Sequence, residues 1–523
     1  MRILIRHISV VYILIPNFFF SLWLSPIIAT IWCTLLLLGG IFYFKEDADK
    51  ISASAVISFV KTPSTFYVST LIFIWVLFSG SGEFTVQSLD YTKHNLFIKD
   101  LITKPWPVVY DSQSHLNSYL AYYLPVCYVS KFLGISIARY LFFIWTFMGC
   151  WLSTMWFIEI VGNKINKILV CLSFMFFGTA GVYWVCVVLE QLCLYSNING
   201  DITRLFSTQS GANPFTIGMP LHLHNFTLKF YYAPQHIIPS WLMGCWLIDC
   251  LVLSKRESLF TIGFIVCIFC FWSPFVVLSS MPFVIVYLFL KYDCSAVKFF
   301  DEIKLLVKGA NIIYLSCTLV TLVVMALWYQ AHYPLKESYF MWNYPYNDIN
   351  YHSYWWVYAL FFFMFQFSYI FIFTYKNEIY TKNINFKYYL FSLFGFLLIL
   401  PTFRIGVWND SLMNMSFVPM TFFAFLIIQS YADIWQQKKV IALGFIFIWY
   451  LSAAISLSSD SHIVNLRERH LKLSRHYIDN PYHIENIRYT MYDESSKLEA
   501  IYIYKRQCLG SNNSLFGTYL IKR

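Results

Sequence analysis

The sequence predicts an all-α membrane protein, a polytopic bundle of about eleven to fourteen transmembrane helices. Of its 523 residues, 59% are hydrophobic, 21% are aromatic and only 12% are charged, whereas a soluble domain carries about 25% charged residues. The mean hydropathy is +0.58. A water-soluble fold of this length cannot bury so much apolar surface, so soluble enzymes, nucleic-acid-binding proteins and disordered chains are excluded.

The transmembrane helices are predicted from apolar runs, because a helix needs about 20 mostly apolar residues to cross a bilayer. The N-terminus is basic and leads directly into the first run without a small-residue cleavage site, so we expect an uncleaved first helix. The predicted spans lie near 8–24, 26–44, 65–82, 138–160, 168–189, 236–253, 259–273, 275–290, 310–329, 353–374, 388–401, 415–430 and 440–457.

The orientation is predicted from lysine and arginine, which concentrate in short cytoplasmic loops. Six basic loops fall on one side if the segment 115–133 does not cross the membrane. That segment mixes polar residues and tyrosines with apolar ones around Pro125, which favours a helix lying in the membrane interface. If it does cross, the loop from 190 to 233 moves to the inside. The basic loops are 45–61, 164–167, 255–256, 291–308, 376–387 and 438–439.

With this orientation the long polar loops all lie on the outer face of the membrane. We expect a transmembrane helical domain over residues 1–457, with its first outer loop at 83–137 carrying the interfacial helices. Residues 458–523 are predicted to form a short outer tail or a small extracytoplasmic domain. The other outer loops are 190–233, 330–352 and 402–414.

The first outer loop is the richest candidate for a catalytic site, because polar residues beside a membrane are costly to desolvate. Asp90, Lys93, His94 and Asp100 lie within about three helical turns. On a helix Asp90 and His94 share one face. A carboxylate beside a cationic partner stays ionised and can accept a proton from a hydroxyl group. The alternative is a solvated loop with ordinary charge pairs.

The second outer loop supplies candidate substrate-binding residues. His222, His224, Gln235 and His236, together with Lys229, approach the outer end of the following span. The His-x-His pair is compatible with metal binding, but no carboxylate or cysteine accompanies it. Contacts to a phosphate or a sugar ring are favoured over a metal, and interfacial anchoring by histidine and tyrosine is the alternative.

The third and fourth outer loops add aromatic and charged groups. Arg404 and Asp410 lie in otherwise apolar sequence between two spans. Arginine is the natural bidentate partner of a lipid phosphate, and Asp410 would orient Arg404 or a substrate. A structural ion pair is the alternative. The loop 330–352 is rich in tyrosine and tryptophan, which suits either sugar stacking or an interfacial belt.

These features together resemble the C-type (GT-C) membrane glycosyltransferases. That resemblance implies an inverting transfer from a polyprenyl-phosphate-linked sugar, with an acidic residue of the first outer loop near the reacting centre; Asp90 is the matching position. The family often has two acids close together there, whereas the next acid here is Asp100. The chain also resembles uncharacterised bacterial multi-pass envelope proteins. That likeness rests on the segments Asp90–Asn95, Tyr122–Pro125, Pro234–His236 and Trp408–Asp410.

The functional hypothesis is therefore a glycosyltransferase of the inner membrane, with its active face periplasmic or extracytoplasmic. Asp90 would act as the general base assisted by His94, with Arg404 or Lys93 on the lipid phosphate. The expected partners are the polyprenyl-phosphate donor, membrane lipids and an envelope glycan or protein acceptor, and no nucleic acid. A divalent metal is compatible with this chemistry, but no ligand motif indicates one.

Two alternative functions remain open from the sequence. One is a non-enzymatic exporter or carrier of lipid-linked oligosaccharides, whose polar loops would be gates. The other is an O-antigen polymerase or ligase, which would depend on outer-loop arginine and histidine. An outer cavity lined jointly by Asp90, His236 and Arg404 would favour transfer, whereas a polar path across the membrane midplane would favour transport.

Overall fold

The structure is a computed structural model, and it is about 80% helical. This confirms the all-α class. The residues it describes are 1–85, 87, 90–110, 114–162, 165–178, 223, 225–254, 257–293, 295–305, 309–332, 339–340, 360, 363–364, 367, 384–405, 410–436 and 508–522.

Seventeen helices, numbered in chain order, are present in these residues. The first eight are α1 (Arg2–Phe20), α2 (Pro26–Lys45), α3 (Ala53–Lys61), α4 (Pro63–Leu77), α5 (Tyr91–Thr103), α6 (Leu124–Leu133), α7 (Ile135–Val161) and α8 (Lys167–Met175). The next nine are α9 (Phe226–Tyr232), α10 (Pro234–Trp246), α11 (Leu259–Ile268), α12 (Pro274–Tyr292), α13 (Ala296–Lys304), α14 (Ala310–Gln330), α15 (Ile384–Ile399), α16 (Asp410–Met415) and α17 (Phe417–Gln436).

Seven helical stretches among the described residues are long and apolar enough to cross a membrane. They are Arg2–Trp23, Pro26–Lys45, Ile135–Val161, Pro234–Ser254, Pro274–Tyr292, Ala310–Gln330 and Asp410–Ser430. Three further apolar helices, α4, α6 and α11, are shorter. The predicted span 440–457 lies outside the described residues, as do most of 353–374 and the second half of 168–189.

Proline and polar caps fix where the membrane helices begin. Pro26, Pro63, Pro234 and Pro274 occupy the first turn of their helices, where a missing N–H costs nothing and the fixed φ suits a helix. At the start of α9 the side chain of Asn225 accepts a hydrogen bond from the N–H of Leu228 at 2.7 Å. This cap satisfies an otherwise unpaired donor and sets the direction in which α9 leaves the loop.

Small residues allow the helices to approach closely at two crossings. A Cβ at Gly149 of α7 would lie 2.6 Å from the hydroxyl of Tyr12 on α1. A Cβ at Gly244 of α10 would lie 2.7 Å from Thr421 on α17. Because lipid tails give no hydrophobic drive for helix association, such close backbone packing supplies much of the contact energy.

One end of the bundle is joined by ion pairs between distant helices, and we call it the basic end. Arg2 lies 3.1 Å from the carboxylate of Asp249, Arg6 pairs with Asp47, and Tyr314 donates a hydrogen bond to Glu46. These contacts bring together the start of α1, the end of α2 and the start of α14. The basic loop 45–61, which contains Glu46 and Asp47, is one of those predicted to lie on the cytoplasmic side.

The opposite end, which we call the site end, carries a two-stranded pairing between the first outer loop and the C-terminus. Strand β1 (Ser114–Leu116) pairs antiparallel with β4 (Leu509–Ser511), and the N–H of Ser25 donates to Leu520 at 2.7 Å. We call residues 508–522 the C-terminal strap. The sequence analysis did not predict this pairing, nor that of β2 (Tyr339–Phe340) with β3 (Phe403–Arg404).

The segment 115–133 contains one helix, α6, and that helix has ten residues. Ten residues rise about 15 Å, half the thickness of a hydrocarbon core. The chain on either side of α6 stays at one end of the bundle, because Ser114–Leu116 pairs with the strap and α7 begins directly after α6. The length of α6 is therefore compatible with the predicted interfacial position, which stays a prediction.

Candidate functional site

The first outer loop forms the helix α5, with Asp90 at its N-terminal boundary. The N–H groups of Lys93 and His94 donate to the carbonyl of Asp90 at 3.1 and 3.2 Å, so the proposed one-turn grouping is formed. The side chains of Asp90 and Lys93 are half-buried, and neither makes a hydrogen bond or ion pair with the described residues. An acid at this position is also favoured by the helix dipole.

His94 is buried and both of its ring nitrogens are occupied. Nε2 lies 3.1 Å from the carbonyl oxygen of Tyr232, and Nδ1 contacts the hydroxyl of Tyr123. A carbonyl only accepts, so Nε2 carries the proton and Nδ1 accepts from Tyr123. Burial, with the nearby charge of Lys93, lowers the pKa of His94 to about 3. His94 is thus a neutral link between α5, the loop before α6 and the end of α9.

Asp100 lies two turns further along α5 and has its own partners. Its carboxylate is 3.2 Å from the ammonium of Lys104 and accepts a hydrogen bond from the hydroxyl of Tyr110 at 2.7 Å. Lys104 also lies 4.2 Å from the centre of the Tyr110 ring. These contacts make Asp100 part of a local structural group, and a helix rise of 1.5 Å per residue places it about 15 Å from Asp90 along the axis.

Lys229 of α9 is the most deeply buried cation at the site end. The residue is 3% exposed, and no hydrogen bond or ion pair joins it to a described residue. Burial lowers the pKa of Lys229 to about 8, against the opposing effect of Asp410 and Asp90, which raise it. An unpaired ammonium in such a place is costly, because desolvation disfavours the charge and nothing directly compensates it.

The first turn of α10 follows immediately and contributes two buried polar side chains. Nδ1 of His236 lies 3.2 Å from the hydroxyl of Ser273, and the ring of Tyr119 packs against it at 4.6 Å. The side-chain oxygen of Gln235 is buried without a hydrogen-bond partner among the described residues. The charges of Lys229 and Lys93 act on the ring of His236. Residues of α9, α5 and α10 therefore lie within electrostatic range of one another.

The fourth outer loop contributes two charged residues, Arg404 and Asp410. Arg404 lies in β3 and is buried, and Asp410 begins α16, with its N–H donating to Ile405 at 2.7 Å. The charges of Lys229, Lys93, Asp90 and Arg404 all act on the Asp410 carboxylate. Asp410 therefore lies within electrostatic range of residues of the first and second outer loops.

The structure thus brings together five charged side chains from three outer loops, and we call this group the charged cluster. Their charges act on the carboxylate of Asp410 and, Arg404 apart, on the ammonium of Lys229, so they lie within electrostatic range of one another. Asp90, Lys93, Lys229 and Asp410 make no ion pair with a described residue, whereas Arg404 has further interactions. The cluster consists of Asp90, Lys93, Lys229, Arg404 and Asp410. His94 and His236 border it, whereas Asp100 does not.

A small pocket beside α5 is lined by His94 and Asn95 of that helix and by Ser81 and Gln87. Its polar side chains largely satisfy one another: Asn95 donates to Gln87 at 2.8 Å, Gln87 donates to the carbonyl of Gly80 at 2.9 Å, and the hydroxyls of Ser81 and Tyr91 are 3.0 Å apart. Because those groups are already paired, this cavity offers a charged ligand less than the charged cluster does.

His222 and His224 lie outside the described residues. In the part of the chain that the structure describes, no three histidine, cysteine, aspartate or glutamate side chains are grouped closely enough to hold a metal ion.

Sequence analysis names Lys229 beside the candidate residues of the second outer loop, and its burial distinguishes it among them. One residue of the site would not be selected as functional from the sequence. Cys508 lies in the C-terminal strap, is buried, and is close enough to Lys93 for that charge to act on its thiol. No local signal connects residue 508 to residue 93, because the link is made by the pairing of β1 with β4.

The chain matches no protein-family model, no curated protein and no solved structure. The charged cluster is therefore the feature of the molecule that bears on function.

Proposed function

We propose that the protein is a membrane glycosyltransferase that transfers a sugar from a polyprenyl-phosphate donor to an acceptor of the cell envelope. The observation that carries the proposal is the charged cluster, in which two carboxylates and three cations from separate outer loops meet at one end of a membrane helix bundle. A phosphate-linked sugar donor needs this combination: cations for the phosphate and a carboxylate for the acceptor hydroxyl.

Asp90 acts as the general base. Its carboxylate takes the proton of the acceptor hydroxyl as the acceptor oxygen attacks the anomeric carbon of the donor sugar. The bond between that carbon and the phosphate oxygen breaks, and the electron pair leaves with the lipid phosphate. In-line attack inverts the anomeric centre, so one positioned base suffices and no covalent intermediate forms.

In this proposal Lys93 and Arg404 bind the lipid phosphate. Arg404 is buried, and its charge acts on the carboxylate of Asp410. His94, held neutral by its contacts to Tyr123 and Tyr232, positions α5 and with it Asp90. In this scheme His94 is a positioning residue, whereas sequence analysis gave it a direct part in the proton transfer.

The distribution of charge supports an enzyme over a carrier. The ion pairs of Arg2 and Arg6 lie at the basic end, and the charged cluster lies at the site end. The buried polar residues between the two ends of the described spans are uncharged, such as Asn17, Ser153 and Thr421. A carrier is expected to place ionisable groups along its path across the midplane.

The test is a transfer assay with the full-length protein in proteoliposomes and labelled polyprenyl-phosphate sugars. Replacing Asp90 by Asn is expected to lower the transfer rate about 100-fold or more. The matched control is Asp293→Asn at the basic end, where the side chain is exposed and the positive φ of 49° suits asparagine; it should transfer at the wild-type rate. Full activity of the Asp90→Asn protein would remove Asp90 from catalysis.

A further inference from the structure

Helix α13 connects α12 to α14 at the basic end of the bundle, and one of its sides packs against the protein. The carboxylate of Glu302 lies 2.7 Å from the ammonium of Lys291 and accepts a hydrogen bond from the N–H of Leu259 at 2.8 Å. It also accepts a hydrogen bond from the hydroxyl of Tyr292. The ring of Tyr292 packs against that of Phe299, with 5.4 Å between their centres. The side of α13 that carries Phe299 and Glu302 therefore faces the bundle.

A second side of α13 is apolar and is not covered by the described part of the chain. Val297 is 70% exposed, Phe300 is 58% exposed and Ile303 is 36% exposed. At 3.6 residues per turn, positions three apart differ by about 60° around the axis, so these side chains share an arc of about 120°. We call them the apolar row. Apolar side chains exposed together in this way indicate a surface that contacts another apolar phase or partner.

A third side of α13 is charged and lies between the apolar row and Glu302. Lys298 pairs with Asp293 at 2.5 Å, and Asp301 pairs with Lys304 at 2.7 Å. All four side chains are more than half exposed, so these ion pairs contribute little to stability and suit contact with water. Lys304, at the last position, lies over the apolar row, but its long side chain carries the ammonium back to Asp301.

We propose that α13 lies in the membrane interface at the basic end, with the apolar row among the lipid acyl chains and the charged side in water. The three sides of α13 face the protein, the membrane and the solvent in turn, as in an amphipathic helix that lies along the flank of a membrane protein. The position of α13 does not depend on the reaction at the site end.

The bilayer is the partner of the apolar row because both ends of α13 are held at the membrane surface. Its neighbours α12 and α14 are long and apolar enough to cross a membrane, and short connections join them to α13. Both neighbours also expose large apolar side chains, such as Phe289 of α12 and Ile312 of α14. The apolar row therefore continues a surface that these spans present to lipid.

The charge balance of this segment indicates that apolar burial, and not attraction to anionic headgroups, holds α13 in the interface. Basic clusters bind anionic lipids through an excess of positive charge. Residues 291–305 have no such excess, because their three lysines are matched by three acidic residues. The lysines are Lys291, Lys298 and Lys304, and the acids are Asp293, Asp301 and Glu302.

Collision rates of a nitroxide label test the position of α13 in the full chain in phosphatidylcholine nanodiscs. Val297→Cys and Phe300→Cys report on the apolar row, and the matched control Lys298→Cys reports on the charged side. Oxygen concentrates among acyl chains, whereas a neutral nickel chelate stays in water. After subtraction of the wild-type signal, the ratio of oxygen to nickel collision rates should be about fivefold higher at positions 297 and 300 than at 298.

Two results of this experiment would overturn the proposal. Equal ratios at positions 298 and 300 would place both sides of α13 in the same medium. Low collision rates with both reagents at 297 and 300 would show that a protein surface, such as a second copy of the chain, covers the apolar row. Thermal unfolding of each labelled protein should match the wild type, because the substituted side chains are exposed.

A second variant and a change of lipid test the apolar contact itself. Adding Phe300→Asp to the protein labelled at position 297 should lower its collision ratio about threefold or more, because a carboxylate in the row favours water. Replacing part of the phosphatidylcholine by phosphatidylglycerol should change the ratio at 297 less than about twofold. A ratio unaffected by Phe300→Asp, or one that becomes high only with the anionic lipid, would contradict insertion driven by the apolar row.

Discussion

His94 shows how burial and hydrogen bonding decide the role of a side chain. Its Nε2 donates to Tyr232 and its Nδ1 accepts from Tyr123, and both bonds require the neutral ring. Burial and Lys93 lower its pKa to about 3. A proton on this ring would break the bond from Tyr123, so the folded site holds His94 neutral throughout the physiological range.

The lowered pKa of His94 predicts a loss of stability in acid. The unfolded chain binds a proton on this histidine near pH 6.5 and the folded chain only near 3, so the stabilising contribution is complete above pH 6.5 and is lost as the pH falls toward 3. Melting temperatures in detergent should therefore fall between pH 6.5 and 4, and the fall should be smaller for His94→Gln. Equal acid sensitivity of the two proteins would contradict the neutral assignment.

Lys229 predicts the opposite pH window. The folded pKa is about 8, below the ordinary value of 10.5, so the unfolded chain holds more protons between those values. The free energy of unfolding contributed by this residue therefore rises as the pH rises from about 8 to 10.5. Over that pH range the melting temperature of the wild type should rise relative to that of the Lys229→Met protein. A difference independent of pH would show that Lys229 is not buried as a charge.

The charged cluster draws its residues from three of the outer loops predicted from the sequence. Asp90, Arg404 and Asp410 stand out because charged residues are rare in this apolar chain. Lys229 stands out much less, because a lysine beside two tyrosines is equally typical of an interfacial anchor. Asp100 has the same residue type and nearly the same surroundings as Asp90, and only its contacts to Lys104 and Tyr110 separate the two.

At the level of elements, the C-terminal strap joins parts of the chain that are far apart in sequence. Strand β4 pairs with β1, and Phe516 packs against Trp328 at 5.0 Å and against His115 at 5.8 Å. Asn117 donates to the carbonyl of Trp328 at 2.7 Å. The strap thereby connects the first outer loop to the end of α14, and it brings Cys508 within electrostatic range of Lys93.

A substitution at Gly510 tests the importance of the strap. A Cβ at Gly510 would lie 2.7 Å from both Asn117 and His115, so Gly510→Ala should separate β4 from β1. We expect transfer activity to fall about tenfold or more, because a misplacement of about 1 Å in a catalytic site has effects of this size. The control Gly395→Ala has no atom within 4 Å of the new Cβ and should be active. Wild-type activity of the Gly510→Ala protein would show that the strap does not shape the site.

The strand pairing illustrates what local sequence cannot predict. Each strand has three residues, too few for the alternating pattern that identifies a strand. The membrane helices are the reverse case: about 20 apolar residues in a row identify them directly. Short apolar helices such as α4 and α11 fall below that length, so apolar runs alone place their boundaries less well than those of α7 or α14.

For the whole molecule, the distribution of charge between the two ends of the bundle is the main result. The basic end holds Arg2, Arg6, Asp47 and Asp249, and the site end holds the charged cluster. Alternation of spans predicts on which side each loop lies, but not which loops are neighbours. That lateral arrangement depends on close helix contacts such as Gly149 with Tyr12, which the sequence does not specify pair by pair.

The most direct test of the account is the side of the membrane from which Asp90 and Asp410 are reached. Single substitutions Asp90→Cys, Asp410→Cys and Asp293→Cys would be labelled in intact cells with a membrane-impermeant thiol reagent, measured above the wild-type background. We predict labelling of the first two from outside and of the third only after permeabilisation. Labelling of positions 90 and 410 from opposite sides would contradict a shared site and the proposed transferase with it.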